Sequence, residues 1–243
     1  MKITAIVQAR MGSTRLPGKV LKDLGGETAL GRVVRRLGRS ELIEEVVIAT
    51  TFSPDDQAVV LEARRLGVPA FMGDELDVLD RFYQASRAFQ PELVVRITSD
   101  CPLIDPQITD STIRAFLDAS PDYASNAFER TYPRGLDTEV MTPEALGRAW
   151  RQAKLPYQRE HVTPFIYEHP ELFRILPVTN QEDYSSHRWT LDTPEDLEFL
   201  RTVYERFDNR DDFSWRDVLD LLAREPALVY MNAHIEQKVL HEV

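Results

Sequence analysis

Two alternating periodicities constrain this chain more than any other feature. Short apolar runs rich in β-branched residues, ITAIV (3–7), EVVIATT (45–51), VPAFM (68–72) and LVVRITS (93–99), are separated by stretches of helical spacing. Runs that are apolar at nearly every position suit strands buried on both faces. Between them, Leu30, Val33, Val34 and Leu37 mark one face of a helix. Val59, Ala63 and Leu66 mark a second, and Leu79, Phe82, Tyr83 and Ala85 a third. A further helix is predicted from Pro106 to about Ala119. Parallel strands can be joined only by crossovers, so a β-α-β-α-β order implies a mostly parallel sheet covered by helices on both faces. Ligands of such sheets bind outside the carboxyl ends of the strands. The loops after residues 3–7 and 93–99 are therefore the first candidates for a site.

The rhythm changes after residue 120. YASNAF and TEVMT read as short strands, followed by helices near 143–153 and 157–168. FRILPVT and RWTLD return to strand character. Helices near 194–207 and 215–224 follow, and then one more apolar patch, ALVYM. There is no internal repeat, low-complexity segment or linker. The expectation is a single α/β domain over residues 1–243, with an inserted lobe at about 120–187 lying over the site.

The 243 residues, 43% of them hydrophobic, are enough for one large α/β core. No apolar run approaches the ~20 residues of a membrane span. The first apolar run is short and leads into a charged loop, unlike a signal peptide. Cys101 is the single cysteine, which excludes an intramolecular disulfide framework and a cysteine-rich zinc site. A cytoplasmic protein with no membrane partner is expected. The net charge of −11 argues against a nucleic-acid surface. The first segment differs from the rest: Lys2, Arg10, Arg15, Lys19 and Lys22 precede any acid, the first being Asp23. Such local polarity suits a small anion.

Some acids are accounted for by helix starts. SPDD (53–56), TPEA (142–145) and TPED (193–196) each place a hydroxyl residue at the cap, proline at the first helical position and acids in the first turn. Ser53 with Asp56, and Thr193 with Asp196, have capping-box spacing.

The loop QARMGSTRLPGK after the first strand is different. It matches neither the dinucleotide pattern G-x-G-x-x-G nor the P-loop G-x-x-x-x-G-K-[ST]. What remains is R-x-x-S-x-R-L-P-x-K. Gly12 permits close backbone approach, Ser13 and Thr14 offer short donors, and Arg10, Arg15 and Lys19 carry charge enough for a triphosphate. The residues alone suit a phosphate cradle and also a solvated basic turn. Two aspartates share this ambiguity. Asp105 caps the helix that begins at Pro106, but Asp100 caps nothing obvious, and Thr193 can cap its helix without Asp192. Each is a turn former or half of a Mg²⁺ pair, since Mg²⁺ takes one or two carboxylates and completes its shell with water and phosphate oxygens.

ARMGSTRLPGK resembles the A-R-x-x-S-x-R-x-P-x-K loop of the CMP-sugar synthetases, the cytidylyltransferases of 3-deoxy-manno-octulosonate and acylneuraminate type. With Gln8 included, QARMGSTRLPGKVL is most similar to their SpsF-like spore-coat polysaccharide branch. DVLDRF (77–82), TSDCPLID (98–105) and LDTPEDL (191–197) agree in order, so the resemblance extends over nearly the whole chain. It implies a Rossmann-like, glycosyltransferase-A-type nucleotidyltransferase fold. It also implies transfer of CMP from CTP to a sugar with release of pyrophosphate, a Mg²⁺ cofactor and a homodimer. Carried over, Ala9, Arg10, Gly12, Ser13, Arg15, Lys19, Arg81 and Ser99 bind nucleotide. Asp100 and Asp192 hold the metal, and Arg10, Lys19 and Asp100 are catalytic. In the second half, Arg134, Asp137, Glu139 and Arg159 are candidates for the acceptor, the arginines for a carboxylate and the acids for hydroxyls. The same residues also suit ordinary turns and solvated helix faces. Glu160 and His161 lie beside them. The resemblance departs at one visible place. The better-characterised synthetases begin the loop I-P-A-R, whereas this chain reads VQAR, which leaves the sugar and, to a lesser degree, the base open.

Overall fold

The computed structural model describes residues 1–237; residues 238–243 of the expected domain lie outside the described residues. Four apolar runs form parallel strands: β1 (Ile3–Gln8), β2 (Glu45–Thr51), β3 (Ala70–Gly73) and β4 (Leu93–Thr98). Shorter strands β5 (Tyr123–Ser125), β6 (Glu139–Met141) and β7 (Ile175–Pro177) extend the sheet. The order is β3-β2-β1-β4-β6-β5-β7. β6 is antiparallel to both its neighbours, and the other pairs are parallel. This is the mostly parallel α/β sheet that the periodicities imply.

From β1 the chain turns to β2 and β3 on one side, then crosses to β4 on the other. The carboxyl ends of β1 and β4 therefore flank a topological switch point, where open α/β sheets bind ligands. Register pairs Gln8 with Thr98, so the loop after β1 faces the turn after β4.

Alternate strand residues point to opposite faces. Ile3, Ala5 and Val7 of β1 pack with α1 (Ala29–Leu37), α2 (Gln57–Arg65) and α4 (Pro106–Ala119). Ile6, Ala49 and Val94 face α3 (Val78–Phe89), α5 (Pro143–Gln152) and α7 (Pro164–Tyr167). A third cluster joins α8 (Pro194–Arg206) and α9 (Trp215–Arg224) to Trp189, Leu191 and Leu16. Within residues 120–187, β5, β6 and β7 join the main sheet, while α5 and α6 (Pro156–His161) pack against α3.

Three expectations need correction. RWTLD is not a strand: Arg188 makes one isolated bridge to Arg134, while Trp189 and Leu191 are buried under α8 and α9. Its apolar alternation serves that helical core rather than a sheet. The predicted helix 157–168 is broken into α6 and α7, because Val162 adopts φ +73° and Pro164 cannot continue a helix from the preceding turn. Ser53 makes no capping bond, and Asp56 is turned elsewhere.

Candidate active site

Residues 9–19 leave the switch point as a closed loop. The Met11 carbonyl accepts the N–H groups of Ser13 (2.9 Å) and Gly18 (3.1 Å), tying the two ends together. Gly18 sits at φ +66°, where glycine alone carries no Cβ penalty. Leu16 is 7% exposed and pins the tip into the α8–α9 core, a burial that contributes about 1.5–3 kcal/mol. The Met11 N–H donates to the Asp56 carboxylate at 2.6 Å, which also accepts from the Thr51 hydroxyl. Asp56 is therefore a loop anchor, not the capping acid its sequence context suggests. Between these anchors the N–H groups of Gly12, Thr14 and Arg15 have no acceptor among the described residues. Free amides between Arg10, Arg15 and Lys19 make an anion cradle.

The cradle faces both aspartates. The Leu191 N–H donates to the Asp100 carbonyl at 2.8 Å, bringing the turn after β4 to the segment before α8. The Lys19 ammonium then bridges Asp100 (2.9 Å) and Asp192 (2.8 Å), and Arg15 lies 3.2 Å from Asp192. Burial alone would lower the Lys19 pKa, but the two carboxylates outweigh it and raise it. Burial likewise opposes ionisation of Asp100, yet Lys19 and the Thr98 hydroxyl hold its carboxyl well below the ordinary value. Lys19 and Asp100 thus each hold the other in its charged form.

Asp192 divides its oxygens. One meets Lys19 and Arg15; the other accepts from Arg188 at 3.0 Å. Arg188 is held by Asp196 through two bonds of 2.9 Å. Asp196 also accepts the N–H groups of Asp192 (2.9 Å) and Thr193 (3.0 Å), and an N–H of the Asn232 side chain (2.9 Å). The Thr193–Asp196 capping box forms as the sequence implies. The buried acid has a second use, orienting Asp192, which its capping role had hidden.

Two carboxylates drawn to one ammonium are hard oxygen donors of the kind that could hold Mg²⁺. Among the described residues no third acid, histidine or cysteine joins them. The remaining ligands would be water or phosphate oxygens, as Mg²⁺ prefers.

A cavity of about 580 Å³ opens over this cluster, lined by the loop and by Gln8, Arg81, Ser99, Glu160 and Gln237 among others. A neighbour of about 540 Å³ shares Arg10, Val78 and Glu160 with it. Arg81 is 2% exposed and donates to the Asp74 carbonyl at 2.9 Å; its Nε has no partner among the described residues. Burial and the nearby Arg10 push its pKa down to about 10, so an anion or a base carbonyl there would be welcome. Cys101 is buried, and burial pushes its thiol up, away from nucleophilic use.

The four acceptor candidates are not brought together. Arg159 grips Asp77, the cap of α3, at 3.0 Å and lines the second cavity. Asp137 is forked by Arg130 at 2.5 and 2.7 Å. Glu139 is buried and accepts from Arg96, the Tyr123 hydroxyl (2.5 Å) and the Thr163 hydroxyl (2.6 Å). Its oxygens are committed to the protein, so it is not placed to receive sugar hydroxyls directly. Arg134 is half-buried, and its side chain has no hydrogen-bond or ion-pair partner among the described residues; burial and then Arg130 lower its pKa. Gly135 lets its loop approach: at φ +111°, a Cβ there would come within 2.7 Å of the Trp189 backbone. Sequence reasoning missed Asp56, Arg188 and Asp196 as supports, because capping and charge patterns account for such residues locally.

A family model for cytidylyltransferases matches residues 4–216. The spore coat polysaccharide biosynthesis protein SpsF of Bacillus subtilis is 36% identical over 231 residues, covering 92% of this chain and 95% of that one. A 3-deoxy-manno-octulosonate cytidylyltransferase of Solibacter usitatus is 36% identical, over 84% of this chain and 95% of the other. A solved cytidylyltransferase structure from Leptospira borgpetersenii superposes with a TM-score of 0.92 at 36% identity, over 98% of this chain and 100% of that one.

Proposed function

Since this chain belongs to the cytidylyltransferase family, we propose that it couples CTP to an acidic keto sugar with Mg²⁺ as cofactor, releasing pyrophosphate, for a surface polysaccharide. The observation that carries this reading is the Lys19 ammonium held between Asp100 and Asp192 beneath a loop of free amides and cations. The loop and the two aspartates line one cavity, which supports the reading because a metal–triphosphate complex needs both together.

A sugar hydroxyl attacks the α-phosphorus and loses its proton to solvent; the bond from the α-phosphorus to the bridging oxygen breaks, and pyrophosphate leaves with that electron pair. Catalysis of this kind is positioning plus charge neutralisation. The amides of Gly12, Thr14 and Arg15 orient the phosphates, while Arg10, Arg15 and Lys19 offset the charge gathering on pyrophosphate. When bound by Asp100 and Asp192, Mg²⁺ would neutralise phosphate charge and lower the pKa of the attacking hydroxyl. Arg81 serves the nucleotide. Arg134, whose side chain has no hydrogen-bond or ion-pair partner among the described residues, is the acceptor candidate left free for a sugar carboxylate, and Arg159 lines the neighbouring cavity. The resemblance further suggests a cytoplasmic homodimer, which light scattering on the purified chain tests.

The deciding experiment follows pyrophosphate release with each of four NTPs, Mg²⁺ and a panel of sugars that includes 2-keto-3-deoxy acids. Release that needs both CTP and an acidic keto sugar supports the proposal. Release only with a sugar 1-phosphate sinks it.

A further inference from the structure

Gln8 ends β1 at the floor of the main cavity. Its side-chain oxygen accepts from Arg96 Nη2 at 2.9 Å. Arginine has donors and no acceptor, so the Gln8 carbonyl must be the end that faces it. The amide NH₂ therefore points the other way, and among the described residues it has no acceptor. Arg96 cannot easily turn. Its Nη1 is paired with Glu139, and its guanidinium lies 5.7 Å from the Phe82 ring centre. Glu139 is in turn held by Tyr123 and Thr163. A buried relay, Glu139 to Arg96 to Gln8, thus locks one polar side chain in a single orientation at the ligand crevice. Immobilising a half-buried glutamine in this way costs it rotamer freedom.

We infer that Gln8 is a specificity-determining residue whose NH₂ donates to a hydrogen-bond-accepting oxygen of a bound substrate, with Arg96 and Glu139 as its positioning residues. The inference rests on the proposed nucleotide and sugar site. Glu139, which the sequence suggested as a direct sugar ligand, acts through two intermediaries. The oxygen belongs to the base or to the acceptor sugar, which CTP affinity and sugar KM distinguish in two variants. Gln8→Met keeps the length and removes both polar ends. Gln8→Glu keeps the contact with Arg96 and replaces the donor with an acceptor.

CTP binding is measured by calorimetry without sugar, and KM and kcat by pyrophosphate release with the sugar that turns over in the panel. Losing one donor weakens the affected substrate by about tenfold while leaving kcat largely intact, the signature of a uniform binding contact. Weaker CTP binding by calorimetry assigns the oxygen to the nucleotide; a raised sugar KM alone assigns it to the acceptor. Gln8→Glu is worse than Gln8→Met if that oxygen is a carbonyl or carboxylate, and milder if it is a hydroxyl, which can donate to Glu. In the wild type, the Gln8 side-chain ¹⁵N resonance shifts when the assigned substrate is added. Unchanged CTP affinity and sugar KM in both variants overturn the inference. Absence of CTP binding by the wild type is a separate outcome that removes the proposed function beneath it.

Discussion

Lys19 bridges Asp100 and Asp192, the two carboxylates proposed to hold Mg²⁺, and Lys19→Met tests that proposal. The side chains involved are only 12–26% exposed. Removing one partner of a well-buried pair costs about 3–5 kcal/mol, because the other charge is left uncompensated. Arg15, 3.2 Å from Asp192, remains and offsets part of that loss. An expected destabilisation of about 2–3 kcal/mol follows, or roughly 4–12 °C in Tm for a chain of this size. In the variant two carboxylates face each other with no ammonium between them, so added Mg²⁺ should bind without competition. At a hundred times its Kd, a ligand of the folded state restores about 2.7 kcal/mol. Thermal denaturation with and without Mg²⁺ reads both effects and does not depend on turnover. The wild type should respond weakly to free Mg²⁺ and the variant strongly. If the variant ignores Mg²⁺, or the wild type gains as much, Asp100 and Asp192 are not a cation pair held in reserve by Lys19.

Asp100→Asn should lower turnover on the order of 10²–10³-fold, with an unchanged circular dichroism spectrum, if it removes a ligand of the proposed Mg²⁺ and with it the charge neutralisation at the phosphates. Asp196→Asn should destabilise the chain by about 3 kcal/mol in urea titrations and also lower turnover, because the freed Arg188 no longer orients Asp192. Asp56→Ala should speed amide exchange in residues 9–19 by about tenfold while leaving the strands protected, as one charge-assisted bond to Met11 is lost. The acid limb of stability follows from Asp100. Its folded-state value lies below the ordinary 3.8, so its stabilising contribution is complete above that pH and lost as pH falls through the depressed value. Lys19→Met should flatten that limb in denaturation midpoints measured below pH 4.

The parallel core was legible because its signals are local. β2 and α4 coincide with EVVIATT and with the helix predicted from Pro106, where β-branched runs and an Asp-Pro cap state their own conformation. RWTLD misled for the same reason. Alternating apolar residues are equally compatible with a strand and with an extended segment under helices, and only the position of α8 and α9 decides between them.

By itself the sequence determined a mostly parallel α/β sheet, a cationic loop after its first strand and two aspartates without a capping duty, since periodicity and turn chemistry are properties of neighbouring residues. What only the tertiary structure decided is how residues far apart meet. Lys19 reaches acids at 100 and 192, Asp56 holds Met11, and Glu139 reaches Gln8 through Arg96. Those partnerships depend on strand order and register, which bring charges to bonding distance across the sheet. No spacing along the chain records them.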